Sequence, residues 1–259
     1  MNDKPLSVSV VIPVRDEAAA IEPLIREIAA AMIDRHYETI VVDDGSDDGT
    51  DRILQALAAR MPGLRLHRHH RSRGQSAAIR SGVRLARAPL IVTLDGDGQN
   101  PPDQIPLLLA PFASDAPGLG LVQGQRAVRR DSLAKRLASR CANGLRDALL
   151  HDGVRDSGCG LKAFRRDAYL DLPFFDHIHR FMPAMMLREG WRVETVDVTH
   201  RPRQSGRSKY SNLARGLVGI PDLMGAAWLI RRSGRRGLAA PEPQHRLSAV
   251  ACREDEAQP

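Results

Sequence analysis

The chain has 259 residues, 42% of them hydrophobic, enough to bury one sizeable α/β core without division into several domains. Its 38 Lys and Arg against 31 Asp and Glu leave +7 at neutral pH, which favours anionic or phosphorylated partners, while 4% aromatic content argues against a base-stacking nucleic-acid surface. Cys141, Cys159 and Cys252 lack metal-ligand spacing and read as reduced thiols in a cytosolic setting, residues 1–7 carry no apolar secretion signal, and no run reaches the roughly 18–20 apolar residues of a spanning helix.

Val8–Val14 is a β-branched run that predicts a strand, and Ile21, Leu24, Ile25 and Ile28 then recur at helical spacing within residues 17–32. Residues 39–42 predict a second buried strand, ending in Asp43-Asp44-Gly45-Ser46 and followed by a helix through Ile53, Leu54 and Leu57. A weaker strand at 64–67, a helix at 76–86 and a strand at 90–94 repeat the pattern. Alternation of this kind predicts an α/β fold with a mainly parallel central sheet and helices on both faces. Neither a Gly-x-Gly-x-x-Gly nor a P-loop is present, which removes the two commonest phosphate-binding alternatives.

The strand at 90–94 delivers Asp95-Gly96-Asp97-Gly98-Gln99 to the carboxyl edge of the sheet, where ligands of open α/β sheets bind. Two acids one residue apart, relieved by glycines and followed by an amide, suit a hard divalent cation that shares its other positions with water and phosphate. The same spacing also describes a polar turn after a strand, so its meaning depends on the other motifs. Beyond it, residues 101–112 predict a helix opened by two prolines, 118–123 a strand leading to Arg126, and 133–150 an arginine-rich helix. Residues 213–230 are apolar but broken by Arg215, Pro221 and Asp222, which suits a bilayer interface better than a span. Arg231, Arg232, Arg235 and Arg236 follow. The expected organisation is a catalytic domain over 1–212, an interfacial amphipathic segment over 213–236 and a disordered, Pro- and Gln-rich tail over 237–259.

Four motifs in order, Val11-Ile12-Pro13-Val14-Arg15-Asp16-Glu17, Val41-Val42-Asp43-Asp44-Gly45-Ser46, Asp95-Gly96-Asp97-Gly98-Gln99 and Asp156-Ser157-Gly158-Cys159-Gly160-Leu161-Lys162, together resemble glycosyltransferase family 2. Within it the chain looks most like the dolichol-phosphate mannosyltransferase branch, which includes bacterial polyprenyl-phosphate glycosyltransferases, over residues 7–232. The resemblance implies a glycosyltransferase A-type (Rossmann-like) domain with C-terminal amphipathic interfacial helices. It also implies a nucleotide-diphospho-sugar donor, Mg2+ or Mn2+, and inversion at the anomeric carbon. The acceptor would be dolichyl or undecaprenyl phosphate and the sugar a mannose- or glucose-like hexose. The setting would be the cytoplasmic face of a membrane, and with no transmembrane extension after Arg236 the expected attachment is peripheral; no nucleic-acid partner is expected.

By the same resemblance Pro13, Glu17, Val42 and Asp44, with Asp43 beside them, would take the nucleoside, and Asp95, Asp97 and Gln99 the metal and through it the diphosphate. Arg126 and Arg140 fall where acceptor-phosphate arginines lie, and Arg203 and Lys209 in a loop that closes on the donor phosphates. Asp156 stands where relatives with hydroxyl acceptors place a base. Two positions depart from the family pattern, Arg15 in place of tyrosine or asparagine and Ser72 in place of asparagine.

Each site residue has a plainer reading. Asp43, Asp44, Asp95 and Asp97 could cap the helices that follow them, and an arginine run is commonly a solvated face. His67, His69 and His70 read as a solvated basic turn, the region of His177 and His179 as facing the acceptor, and Cys159 as a buried small residue. A saccharide hydroxyl acceptor would need Asp156 as base; a phosphate monoester, already dianionic at neutral pH with a second pKa of about 6, needs cations instead. A non-catalytic anionic-lipid or nucleic-acid binding protein would account for the charge but not for the ordered acidic motifs.

Overall fold

The computed structural model describes residues 6–113, 117–126, 144, 146, 148–202 and 212–232, with side chains in the last stretch from Gly219 onward. Seven strands form one sheet: β1 (Val8–Val14), β2 (Tyr37–Asp43), β3 (Leu64–Arg68), β4 (Leu90–Thr93), β5 (Leu119–Arg126), β6 (Lys162–Arg165) and β7 (Arg192–Val198). Their spatial order is β3-β2-β1-β4-β6-β5-β7. All pairings are parallel except those of β6, which runs antiparallel to both β4 and β5.

Alternate residues of the strands serve two cores. Val8, Val10, Ile12 and Val14 face α1 (Ile21–Ala31), α2 (Thr50–Ala58) and α4 (Ile105–Ala113), whose Ile25, Leu54 and Leu108 complete that layer. Val11, Ile40, Val42 and Ile91 face the other way, against α3 (Gln75–Leu85), α5 (Arg166–Leu170), α6 (Met182–Arg188) and α7 (Asn212–Arg232). Helix α3 comes close to the sheet because Gly82 has no side chain: a Cβ there would lie 3.2 Å from Val42 Cγ2 and would overlap Val11.

The chain turns from β1→β2→β3 on one side of β1 to β4 on the other, so the crevice at the carboxyl ends of β1 and β4 is the switch point where open sheets bind ligands. Where the sequence predicts an element the structure differs mainly at its ends, whereas β6, β7, α5 and α6 have no counterpart in the sequence expectation. The helix expected from residue 17 begins at Ile21, after a turn through residues 18–20, and the one expected from 101 opens as a 3-10 turn at Pro102–Gln104. Most of 133–150 lies outside the described residues, as do 203–211 and 233–259.

Helix α7 carries apolar residues on two sides. Ala226 and Ala227 are buried, with Leu223, Leu229 and Ile230 packed on the same core, while Ile220, Met224 and Trp228 stand exposed at four-residue spacing. Arg188 Nε donates to Leu229 O at 3.2 Å and His177 Nδ1 meets Asp222 Oδ2 at 2.7 Å, tying the helix to the domain. Among the described residues no helix is long and apolar enough to cross a membrane.

Candidate active site

Three loops meet along the carboxyl ends of β1, β2 and β3. Asp16 N–H donates to Ser46 Oγ, Glu17 N–H to Thr50 Oγ1 and Ala18 N–H to Asp48 Oδ2, each at 2.9–3.0 Å, so the turn carrying Pro13 and Glu17 is laced to the turn after β2. Asp43 accepts from Ser46 N–H and Ser46 Oγ and faces Arg68 at 3.3 Å, closing the turn after β2; it does not cap α2, whose N-cap Gly49 has no side-chain cap bond. Val42 is wholly buried beneath α3, so any part it plays in a donor site passes through its backbone.

Asp44 is buried and accepts four hydrogen bonds, from His69 Nδ1, Ser72 Oγ and the N–H groups of Arg73 and Gly74, at 2.7–2.9 Å. Burial works against its charge, but these bonds outweigh it and hold the carboxyl below the usual carboxylate range. Its carboxylate therefore organises the loop over residues 69–74. His69 corrects the sequence reading: it is 4% exposed, with Nε2 3.0 Å from Ser81 Oγ, and is a buried peg rather than part of a solvated turn. The two departures from the family pattern also meet here, Arg15 Nη1 donating to Ser72 Oγ at 2.8 Å.

At the end of β4, Asp95 is half-buried and accepts from Gln75 Nε2 at 2.7 Å. Burial and the adjacent charge of Asp97 push its pKa up to about 6, against the weaker pull of Lys162 and Arg126. Two glycines make room for the turn: a Cβ on Gly96 would lie 2.6 Å from Val14 Cγ1, and one on Gly160 would overlap the Asp95 carboxylate itself. Asp97 Oδ1 accepts from Gln99 N–H at 3.1 Å, closing the turn through Gly98 at φ +69°. Among the described residues no three His, Cys, Asp or Glu side chains gather for a metal. Asp95 and Asp97 form an acidic pair whose mutual repulsion a hard cation would relieve, and a cation completed by water and diphosphate needs no third protein acid.

Beside them, Arg126 and Asp156 form a two-pronged pair, Nε–Oδ2 at 2.5 Å and Nη2–Oδ1 at 2.8 Å, with side chains 19% and 11% exposed. Asp156 is thus committed to fixing a guanidinium. Beneath it Lys162, 3% exposed, gives its ammonium protons to Gln123 Oε1, Ser157 O and Cys159 O at 2.5–3.1 Å. Burial pushes this lysine down to about 8, and with Gln123 Nε2 donating to Cys159 O at 3.3 Å and Asp156 O at 3.4 Å it staples the 156–160 loop to the sheet. Neither Gln123 nor Lys162 was assigned a role from sequence, although Lys162 closes one of the four motifs. Cys159 is buried as expected, and burial raises its thiol pKa. Arg140, Arg203 and Lys209 lie outside the described residues.

His179 is half-buried under the first turn of α3, with Nδ1 2.7 Å from Ser76 Oγ. Burial and the nearby charges of Arg180, Lys162 and His177 hold its pKa well below 6.5. An unfolded chain would take up a proton there as pH falls through about 6.5 while the folded one would not, so stability drops as pH falls below that value. His179→Gln, which keeps a partner for Ser76, should flatten the fall in Tm between pH 6.5 and 5; an unchanged slope would assign the acid sensitivity elsewhere.

Known proteins share the family and the fold of this chain. The model of the family "Glycosyl transferase family 2" matches residues 9–172, and the chain belongs to that family. It is 34% identical over 238 residues to the dodecaprenyl-phosphate galacturonate synthase of Rhizobium johnstonii, covering 90% of this chain and 70% of that protein. It is 36% identical over 223 residues to the undecaprenyl-phosphate 4-deoxy-4-formamido-L-arabinose transferase of Shewanella sediminis, covering 84% of this chain and 64% of that one. The chain thus spans about two thirds of the length of these relatives. Glucosyl-3-phosphoglycerate synthase from Mycobacterium tuberculosis, solved in complex with Mn2+, UDP-glucose and phosphoglyceric acid, shares the fold with a TM-score of 0.65 at 20% identity, over 87% of this chain and 79% of that one.

Proposed function

We propose that this family 2 glycosyltransferase moves a hexose, with inversion, from a nucleotide-diphospho-sugar to a polyprenyl phosphate at a membrane surface. The observation that carries the acceptor class is the Arg126–Asp156 pair: it supplies a fixed cation beside the donor carboxylates and occupies the one acid that a hydroxyl acceptor would require as base. The names of the two relatives, both polyprenyl-phosphate sugar transferases, support the same class.

In the reaction an oxygen of the acceptor phosphate dianion attacks the anomeric carbon opposite the diphosphate. The C–O bond to the nucleoside diphosphate breaks and its electron pair leaves with that group; no proton transfer is needed. Mg2+ or Mn2+ held by Asp95 and Asp97, with Gln99, would neutralise charge growing on the departing diphosphate. Arg126 and Arg140 hold the acceptor phosphate, and Arg203 and Lys209 neutralise the departing diphosphate. The loops bearing Pro13, Glu17, Asp43 and Asp44 form the nucleoside end.

With purified protein, labelled UDP- and GDP-sugars, undecaprenyl phosphate and Mg2+ or Mn2+, chelator-sensitive label should appear in the organic phase. Label that stays aqueous with every donor refutes the acceptor class. Asp156→Asn, whose Oδ1 can still accept one of the two bonds from Arg126, should keep activity within about tenfold of the parent, whereas loss of a general base costs about 10²–10⁴-fold and would reassign the acceptor to a hydroxyl.

The membrane reading rests on Ile220, Met224 and Trp228, exposed in one row of α7, with Arg232 stacked 5.3 Å over the Trp228 ring and Arg231 beside it. Apolar side chains backed by cations suit the boundary of an anionic bilayer, the cytoplasmic leaflet on this reading. Trp228→Glu should reduce flotation with phosphatidylglycerol vesicles several-fold, and undiminished flotation would remove α7 from the membrane contact.

A further inference from the structure

We infer that Arg201 is a positioning residue for the acidic turn, setting the geometry with which Asp97 and Gln99 meet a divalent cation. The inference rests on the reading of Asp95 and Asp97 as metal ligands.

Arg201 lies just beyond β7, about a hundred residues from that turn, and reaches it with both main chain and side chain. Its N–H donates to Gln99 O at 3.1 Å and its Nε to Gly98 O at 2.6 Å. Nη2 donates to Glu27 Oε2 on α1 at 2.6 Å, which fixes the plane of the guanidinium. Two successive carbonyls of the turn are therefore held from one side while Asp97 Oδ1 holds the Gln99 N–H from the other. Gly98 sits at φ +69°, and the site its missing Cβ would occupy lies 4.0 Å from Arg201 Nη2. Rotation of the Gly98–Gln99 peptide would move the N–H that Asp97 Oδ1 accepts from and so release that side chain, and by holding Gly98 O and Gln99 O Arg201 restricts the freedom the two glycines would otherwise give this segment.

Magnitudes separate this role from a merely structural one. The Arg201–Glu27 pair is 29% and 38% exposed, and pairs of that kind contribute little to folding. Loss of Arg201 should thus change Tm little. Groups that orient metal ligands, by contrast, typically cost 10–100-fold in affinity when removed. The chemistry of the side chain matters too: a lysine could reach one carbonyl but could not bond two partners in a fixed plane.

The test is titration of full-length protein with Mn2+ alone, followed by electron paramagnetic resonance, with Tm recorded in parallel. Asp97→Ala should abolish the binding, and Arg201→Ala should weaken it about tenfold at nearly unchanged Tm, with Arg201→Lys between the two. Mn2+ affinity of Arg201→Ala within twofold of the parent, while Asp97→Ala abolishes binding, overturns the positioning role and leaves the metal site standing. No effect of Asp97→Ala removes the metal site and the inference together. If Arg201→Ala fails to fold, Glu27→Gln decides the matter in the same way: a loss of threefold or more supports the clamp, and an unchanged affinity overturns it.

Discussion

Asp97→Ala should abolish sugar transfer, by about 10³-fold or more, without loss of thermal stability. Stabilising charge as it forms on a leaving group is commonly the largest single contribution to catalysis, and on the proposed reading truncating one acid of the pair would remove both the cation and the means of holding the diphosphate. The stability half of the expectation comes from the same pair. Asp97 is one of the two largest influences that raise the Asp95 pKa to about 6, so the two acids repel in the protein without metal. Removing one relieves that repulsion, and the variant should melt no lower than the parent under chelator. Added Mn2+ should raise the Tm of the parent by mass action and leave that of the variant unmoved. Calorimetry with and without Mn2+, beside the transfer assay, checks both halves; activity retained at saturating metal would sink the assignment of Asp97.

The divide between what the sequence revealed and what it hid follows separation along the chain. Strands β1, β2 and β4 each hold an unbroken apolar run, Val10–Val14, Ile40–Val42 and Leu90–Val92, because both faces of a parallel sheet are covered, and such runs are local signals. The two-acid turn was legible for the same reason, since it directly follows a strand and is only five residues long. Partnerships were not legible. Arg126 and Asp156, 30 residues apart, were assigned separate tasks, and only the fold shows that one occupies the other. His69 looked like a member of a solvated basic cluster because its neighbours His70 and Arg71 are exposed; the inward turn of one imidazole toward Asp44, 25 residues earlier, leaves no local trace. Arg15 and Ser72 were noticed as two unrelated departures, yet they share one hydrogen bond across 57 residues. A side chain's chemistry can be read from its own position, but which group will consume that chemistry depends on the closure of the sheet.

Gly160→Ala should lower kcat/KM by about a hundredfold at nearly unchanged Tm, although the added methyl touches neither substrate nor metal. A Cβ at residue 160 would occupy the space of the Asp95 carboxylate, so the carboxylate must swing away and give up its bond from Gln75 Nε2. The backbone need not move to accommodate this, because φ at Gly160 is not in the left-handed region and its carbonyl keeps the 3.0 Å bond from Thr93 Oγ1. A catalytic group displaced by about 1 Å can cost 10²-fold, which sets the expected size. The mechanism of the loss is open to a stringent check, because it passes wholly through Asp95. In an Asp95→Ala background there is no carboxylate to displace, and Gly160→Ala should cost nothing further in a double-mutant cycle. Additive losses would place the effect of residue 160 elsewhere, in the stapled loop that carries Asp156, and would mean that the close approach of Gly160 to Asp95 does not govern catalysis.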